Sequence, residues 1–317
     1  MFRQPPERLP AELLVHIIGS IAYHEQEWQN DWVGVCPYSG KEREAKDTLL
    51  ACSLASRHLR NITFPYLFHS MALRVDFNVG KVHDSGVEGW RTRTLDELEK
   101  FLDSCQRACY AIQELRICGA DIVIDVGGYT GPSTPQIGGT ELLALVKILA
   151  RLHRLRVLAL RDVLFGNLTS LGTEGLDSSS ALPILEQFHY SMHDNIQIID
   201  SSAVLTLMNC FPGVKRVYFD RFGFQVSDDL DRALSFPTTL RSFKVSGCWY
   251  NEEFLSLMVR DISKRRICMP IESIELDSGI MQSEKVSELL VLVNTSLKIL
   301  SLHHLLDTDS WAPEEGK

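Results

Sequence analysis

A short apolar pattern recurs along most of the chain, and it limits the possible folds more than any other feature. It reads apolar, two of any residue, apolar, one of any, apolar. It occurs at Phe68-Met71-Leu73, Ile112-Leu115-Ile117, Leu155-Leu158-Leu160 and Leu185-Phe188-Tyr190. It recurs at Val214-Val217-Phe219, Leu240-Phe243-Val245, Ile271-Ile274-Leu276 and Leu297-Leu300-Leu302. A single match means little: in a chain 45% apolar, chance alone supplies one in about every eleven windows. The spacing is what persuades. From Leu155 onward the starts lie 30, 29, 26, 31 and 26 residues apart. Helical stretches stand between them at 141–152, 201–211, 252–266 and 284–295, with a weaker one at 226–236. The first two intervals are 44 and 43 residues long. One contains a helix at 95–109, the other a Gly/Pro/Ser/Thr-rich loop at 127–139. A strand–helix unit of this size cannot bury its apolar face alone, so it stacks on its neighbours. The expected class is α/β with a parallel sheet. A doubly wound domain would show the same alternation, but no strand here is followed by a glycine fingerprint.

Ahead of the repeats the periodicity changes. Residues 9–22 read LPAELLVHIIGSIA, with Pro10 suited to a first helical turn. Leu13, Leu14, Ile17, Ile18 and Ile21 follow the i, i+3, i+4 rule and form an apolar stripe. Residues 23–47 break that stripe with Trp28, Trp32, a turn-like PYSG and the charge run KEREAKD. They read as an inserted loop with at most a short helix. Residues 48–62 are expected to be helical again, with Leu50, Leu54, Ala51 and Ala55 packing inward and Pro65 ending the run.

These two segments together resemble an F-box. The residues carrying the resemblance are Leu9-Pro10, Glu12-Leu13-Leu14, Ile17-Ile18, Leu49-Leu50, Cys52, Leu54, Ser56-Arg57 and Pro65-Tyr66-Leu67-Phe68. The order LPxELLxxII, LLxCSLxSR, PxLF is similar to many fungal F-box proteins. The departure is the insertion at 23–47, where an ordinary F-box has a short link. The repeats over 68–305 resemble an irregular leucine-rich-repeat solenoid. They depart from that family where it favours Asn or Cys, three residues after the last strand apolar. Ala120, Val163, His193 and Phe222 stand there, and Cys248 alone fits. The expected organisation is an F-box-like helical domain over 1–67 and a leucine-rich-repeat-like solenoid over 68–317.

Composition and motifs exclude several functions. The chain has 317 residues, with Lys plus Arg 32 against Asp plus Glu 41, a net charge of −9. That opposes phosphate-backbone binding as its main task, so no nucleic-acid partner is expected. The longest apolar runs, such as 289–293, fall far short of the ~20 residues of a membrane span. The start MFRQPPERLP has no signal-peptide core, which points to a cytoplasmic or nuclear protein with no membrane partner. Eight cysteines without dense, regular spacing suit free thiols in a reducing compartment. The sequons at Asn61, Asn167 and Asn294 are then bystanders.

No chemistry-bearing motif stands out. The 127–139 segment lacks the order GxxxxGK[ST] and is broken by two prolines. Cys105, Cys109 and Cys118 have no second close pair to complete a zinc site. His189 and His193 fall on a strand and its exit, too far apart to share a metal. No GxSxG elbow is present, and the serines at 178–180 read as loop. No cofactor and no intrinsic enzyme activity are expected.

The F-box resemblance implies a substrate receptor of an SCF-type ubiquitin ligase, docked on a Skp-type adaptor and cullin scaffold. The residues expected to dock are Leu9, Pro10, Leu13, Ile17, Leu50 and Leu54, with Arg57 as a polar contact. The target protein would meet the strand face, where residues alternating with the apolar pair point away from the core. That face carries Arg74, Arg116, Arg161, His189, Tyr218, Lys244, Glu275 and Asp277, basic early and acidic late. A non-degradative interaction scaffold with a degenerate F-box is the alternative.

Overall fold

The eight apolar triplets correspond to eight strands of one sheet. The structure, a computed structural model, describes residues 10–22, 40–75, 94–119, 136–137, 139–165, 182–192, 198–200, 202–221, 223–225, 236–247, 251–265, 269–277 and 284–303. The chain opens with helices α1 (Ala11–Ala22), α2 (Gly40–Ala55) and α3 (Arg57–Leu67). It continues through β1 (Ser70–Val75), α4 (Leu95–Ser104), α5 (Gln106–Ala111), β2 (Glu114–Gly119), β3 (Gln136–Ile137), α6 (Gly139–Arg151), β4 (Val157–Arg161) and β5 (Leu164–Phe165). Then come β6 (Leu185–Ser191), β7 (Ile198–Asp200), α7 (Ser202–Asn209), β8 (Val214–Asp220), β9 (Gly223–Gln225) and β10 (Ser242–Ser246). The last elements are α8 (Asn251–Arg265), β11 (Ser273–Asp277), α9 (Glu284–Val293) and β12 (Ile299–His303).

The sheet is all-parallel, in the order β1-β2-β4-β6-β8-β10-β11-β12. Its register pairs apolar with apolar. Met71 stands opposite Leu115, and Leu115 opposite Leu158. Phe243 lies between Val217 and Ile274, and Ile274 faces Leu300. A slip of one residue would turn every one of these side chains to the other face, so the triplets themselves set the register. The short strands form two separate pairs, β3 with β5 and β7 with β9.

The chain divides into two compact units. The first comprises Met1–Glu186 and Cys210–Pro212. Its core combines Leu115, Ile117, Leu158 and Leu160 from the strands with Leu98, Leu102, Leu145, Ile148 and Leu149 from α4 and α6. Phe68 lies between Phe64 of α3 and Phe101 of α4, with ring centroids 4.6 and 5.8 Å away. Arg107 of α5 sits 4.6 Å over the Phe64 ring. Thr94 and Glu97 close a capping box that fixes the start of α4, with bonds of 3.1 and 3.4 Å.

The second unit comprises Gln187–Asn209 and Gly213–Lys317. Its core gathers around Phe254 of α8, whose ring meets Phe219, Phe236 and Phe243 edge-on at 5.4, 5.5 and 6.1 Å. Each buried ring of this kind stabilises the fold by roughly 1.5–3 kcal/mol. Asp261 is buried on the same helix. It accepts the Phe236 N–H at 2.8 Å and Arg265 Nε at 2.7 Å, which satisfies its charge.

Left-handed backbone and main-chain bonds shape the turns after several strands. Asp162, Arg221 and Gly247 each follow a strand directly and adopt left-handed backbone, φ 53, 55 and 58°. Arg221 N–H donates to the Ser246 carbonyl at 2.9 Å, and Met192 N–H to the Asp220 carbonyl at 3.1 Å. Main-chain bonds thus link neighbouring turns in the second unit. Gly119 ends β2 against Asp162, where an added Cβ would lie 2.0 Å from the Asp162 carbonyl oxygen.

Several local expectations are corrected. The helix expected from residue 48 starts at Gly40, because KEREAKD is made of good helix formers rather than loop residues. It stops at Ala55, where Ser56 caps a new helix by accepting the Leu59 N–H at 3.1 Å. Pro65 lies inside α3 instead of ending the run. The helix expected over 95–109 is split at Cys105. Gln136 and Ile137, expected in loop, pair with β5. The weak helix at 226–236, most of the 127–139 loop and the insertion up to residue 39 lie outside the described residues.

Candidate functional site

The N-terminal helices bury less of their apolar surface than their sequence offers. Helix α1 packs against α2 and α3, and α2 against α3. Ile18 is buried, while Leu14 and Ile21 are half-buried. Leu13, Val15 and Ile17 stay 43, 42 and 42% exposed. Positions 13 and 17 lie one turn apart, about 100° around the helix from 14 and 18. The apolar stripe is therefore wider than the packing within these helices requires.

Helix α2 repeats this arrangement. Leu49 and Ser53 are buried, whereas Leu50 and Leu54, also one turn apart, are 51 and 70% exposed. The expected inward packing of Leu50, Leu54, Ala51 and Ala55 is thus reversed: all four are exposed, and the helix turns Leu49 and Ser53 inward instead. Helix α2 thus presents Leu50 and Leu54 to solvent on one face. Pro10 and Arg57 are exposed beside these residues in sequence, and Leu9 lies outside the described residues.

The strand-face residues divide by unit. In the first, Arg116 is buried, and its Nε donates to Glu114 Oε1 at 2.6 Å. That departs from the expected solvated column. Arg161 is mostly buried, with Nε 3.3 Å from Asp162 Oδ2. Arg74 is aligned with Cys118, which is aligned with Arg161, but the Arg74 side chain lies outside the described residues.

In the second unit the strands bring four of the expected residues into one row. The His189 and Tyr218 rings meet edge-on at 6.0 Å. Tyr218 stands in register with Lys244, and Lys244 with Glu275. Lys244 Nζ lies 2.5 Å from Glu275 Oε1. Beside this row, Ser246 Oγ donates to Asp220 Oδ1 at 2.8 Å. Asp277 is aligned with His303, with both side chains outside the described residues. Arg116, Arg161 and Lys244 each face a carboxylate of their own, so they give no free basic-to-acidic gradient. The row presents a phenol, an imidazole and a neutralised ion pair.

One charged feature was not foreseen. From Leu155 onward the residue just after the first apolar of each triplet carries charge. Arg156 Nη2 lies 2.8 Å from Glu186 Oε2. Glu272 sits between Arg241 and Lys298, at 3.3 and 2.8 Å. The Lys298 hydrogen bond, then the nearby charges of Lys298 and Arg241, hold the Glu272 carboxyl below the usual range. The signal was present in the sequence as Arg156, Glu186, Lys215, Arg241, Glu272 and Lys298 at one position of successive triplets.

Among the described residues no group of three or more His, Cys, Asp or Glu side chains could hold a metal ion. Burial pushes the Cys109 and Cys210 thiols up, which favours their protonated form. No described helix is long and apolar enough to cross a membrane. No protein-family model matches the chain, and no curated protein matches it.

Proposed function

We propose that the chain is a substrate receptor of an SCF-type ubiquitin ligase. Helices α1–α3 act as the F-box that docks on a Skp-type adaptor, and the strand–helix repeats form an irregular leucine-rich-repeat solenoid that holds the target protein. The observation supporting this is the exposure of Leu13, Ile17, Leu50 and Leu54. These are residues that the F-box resemblance assigns to docking, and they are available rather than used inside the chain. The role needs no chemistry from the receptor. It supplies proximity and orientation to the transfer reaction. In the second unit, the row of His189, Tyr218, Lys244 and Glu275 offers an aromatic anchor beside hydrogen-bonding groups, a combination suited to protein recognition. The experiment is capture of purified Skp-type adaptor by the tagged chain, followed by recovery of cullin through that adaptor. Recovery of both is expected. A folded chain that retains neither would leave the repeats as an interaction scaffold without a ligase.

A further inference from the structure

Helices α5 and α6 border a cavity of about 370 Å³ that opens to solvent in the first unit. Two i, i+4 pairs line it. Gln106 and Tyr110 come from α5, and Lys147 and Arg151 from α6. Ala150, with its small side chain, and His153 also line the cavity. The Tyr110 and His153 rings lie 5.4 Å apart, tilted by 46°, and pack against each other as an aromatic wall of the cavity. The side chains of Gln106, Tyr110 and Lys147 have no hydrogen-bond or ion-pair partner among the described residues. Arg151 donates to Asp103 Oδ1 at 2.5 Å, which fixes the guanidinium and offsets its charge. Cys109 adds a buried, uncharged surface.

The volume falls in the range of small-molecule sites, roughly 300–1,000 Å³. Asp103 cancels one of the two cations, and the carbonyl end of α6 adds negative potential beside Arg151. One net positive charge remains, at Lys147. That balance suits a single negative charge and disfavours a phosphate dianion. We propose that this cavity is a binding site for a small aromatic carboxylate. The ring lies against Tyr110 and His153, and the carboxylate meets Lys147 and Arg151. The site stands apart from α1–α3 in the chain and does not depend on the ligase reading.

The test titrates the full chain with 2-naphthoate and with its neutral amide, 2-naphthamide, by calorimetry. Lys147 and Tyr110 are exposed, so Lys147→Glu and Tyr110→Ala keep the fold, checked by circular dichroism. Saturable binding of 2-naphthoate is expected, with the amide weaker by about tenfold or more, since losing a charge-assisted contact of about 1.4 kcal/mol changes affinity by that factor. Lys147→Glu should remove binding and Tyr110→Ala should weaken it. Absence of saturable binding at millimolar ligand overturns the proposal. So does equal binding of the amide, or undiminished binding by folded Lys147→Glu.

Discussion

Lys46 of α2 donates a hydrogen bond from its ammonium to the backbone carbonyl of Ser70, the first residue of β1. The contact fastens a helix of the N-terminal group to the outermost strand. Among the described residues, strand β1 has a strand neighbour on one side only, so its outer carbonyls need partners from elsewhere. Lys46→Met removes the charge and should destabilise the chain by about 1–2 kcal/mol in urea unfolding. Ser70→Ala keeps the carbonyl and deletes a buried hydroxyl that has no partner among the described residues. It should leave stability unchanged or raise it. Equal effects from the two variants would show that the Lys46 contact does not form in solution.

Glu114 and Arg116 form a buried ion pair on one strand. Taking away one partner strands the other charge in a poorly hydrated place. Arg116→Met alone should cost about 3–5 kcal/mol, whereas Glu114→Leu with Arg116→Met should recover much of that loss. Equilibrium unfolding of the two single variants and the double variant measures the coupling. Additive losses would contradict the pairing.

Gly119 tests the repeat turns. A methyl group there meets the Asp162 carbonyl at 2.0 Å, a contact that only backbone movement can relieve. Gly119→Ala should therefore destabilise the first unit by about 2 kcal/mol or more, in the range of a strained backbone site. A neutral result would place β2 and the turn after β4 farther apart than described.

Glu272 gives a pH-dependent test. Its folded carboxyl is held below the unfolded value, first by the Lys298 hydrogen bond. The stability it contributes is present above the unfolded pKa and is lost as pH falls through the folded one. The difference between wild type and Glu272→Gln should therefore be seen near neutral pH, fade in acid and shrink in high salt, because the site is exposed. A difference that persists after the carboxyl is protonated would assign the effect to something other than the ion pairs.

The sheet was legible because its information is periodic. The Leu115-Ile117 pair and its counterparts are buried on β2, β4, β6, β8, β10 and β11, and the intervals kept the eight strands in chain order. The helix ends were less legible. KEREAKD reads as a solvated charge run whether it is loop or helix; its helix-forming residues and the packing of Leu49 and Ser53 together favour the helix. The inward face of α2 was misjudged for a related reason. Leu49 and Leu50 are adjacent and equally apolar, and sequence periodicity alone does not say which one a neighbour covers. The strand face was legible as an alternation but not as chemistry. Glu114 and Arg116 lie two residues apart on one strand, yet their burial depends on tertiary surroundings that the alternation does not encode.

The central claim rests on four exposed side chains. Leu13→Asp with Ile17→Asp, and separately Leu50→Asp with Leu54→Asp, would place carboxylates in an apolar interface, at a cost of several kcal/mol to binding. Because all four side chains are at least 42% exposed in the free chain, both double variants should keep wild-type circular dichroism and unfolding midpoints. Binding of each to purified Skp-type adaptor, measured by surface plasmon resonance, is the most direct test. The account predicts saturable binding by the wild type and a loss of at least about 100-fold in both variants, the equivalent of about 2.7 kcal/mol. Undiminished binding by folded variants, or none by the wild type, would contradict it.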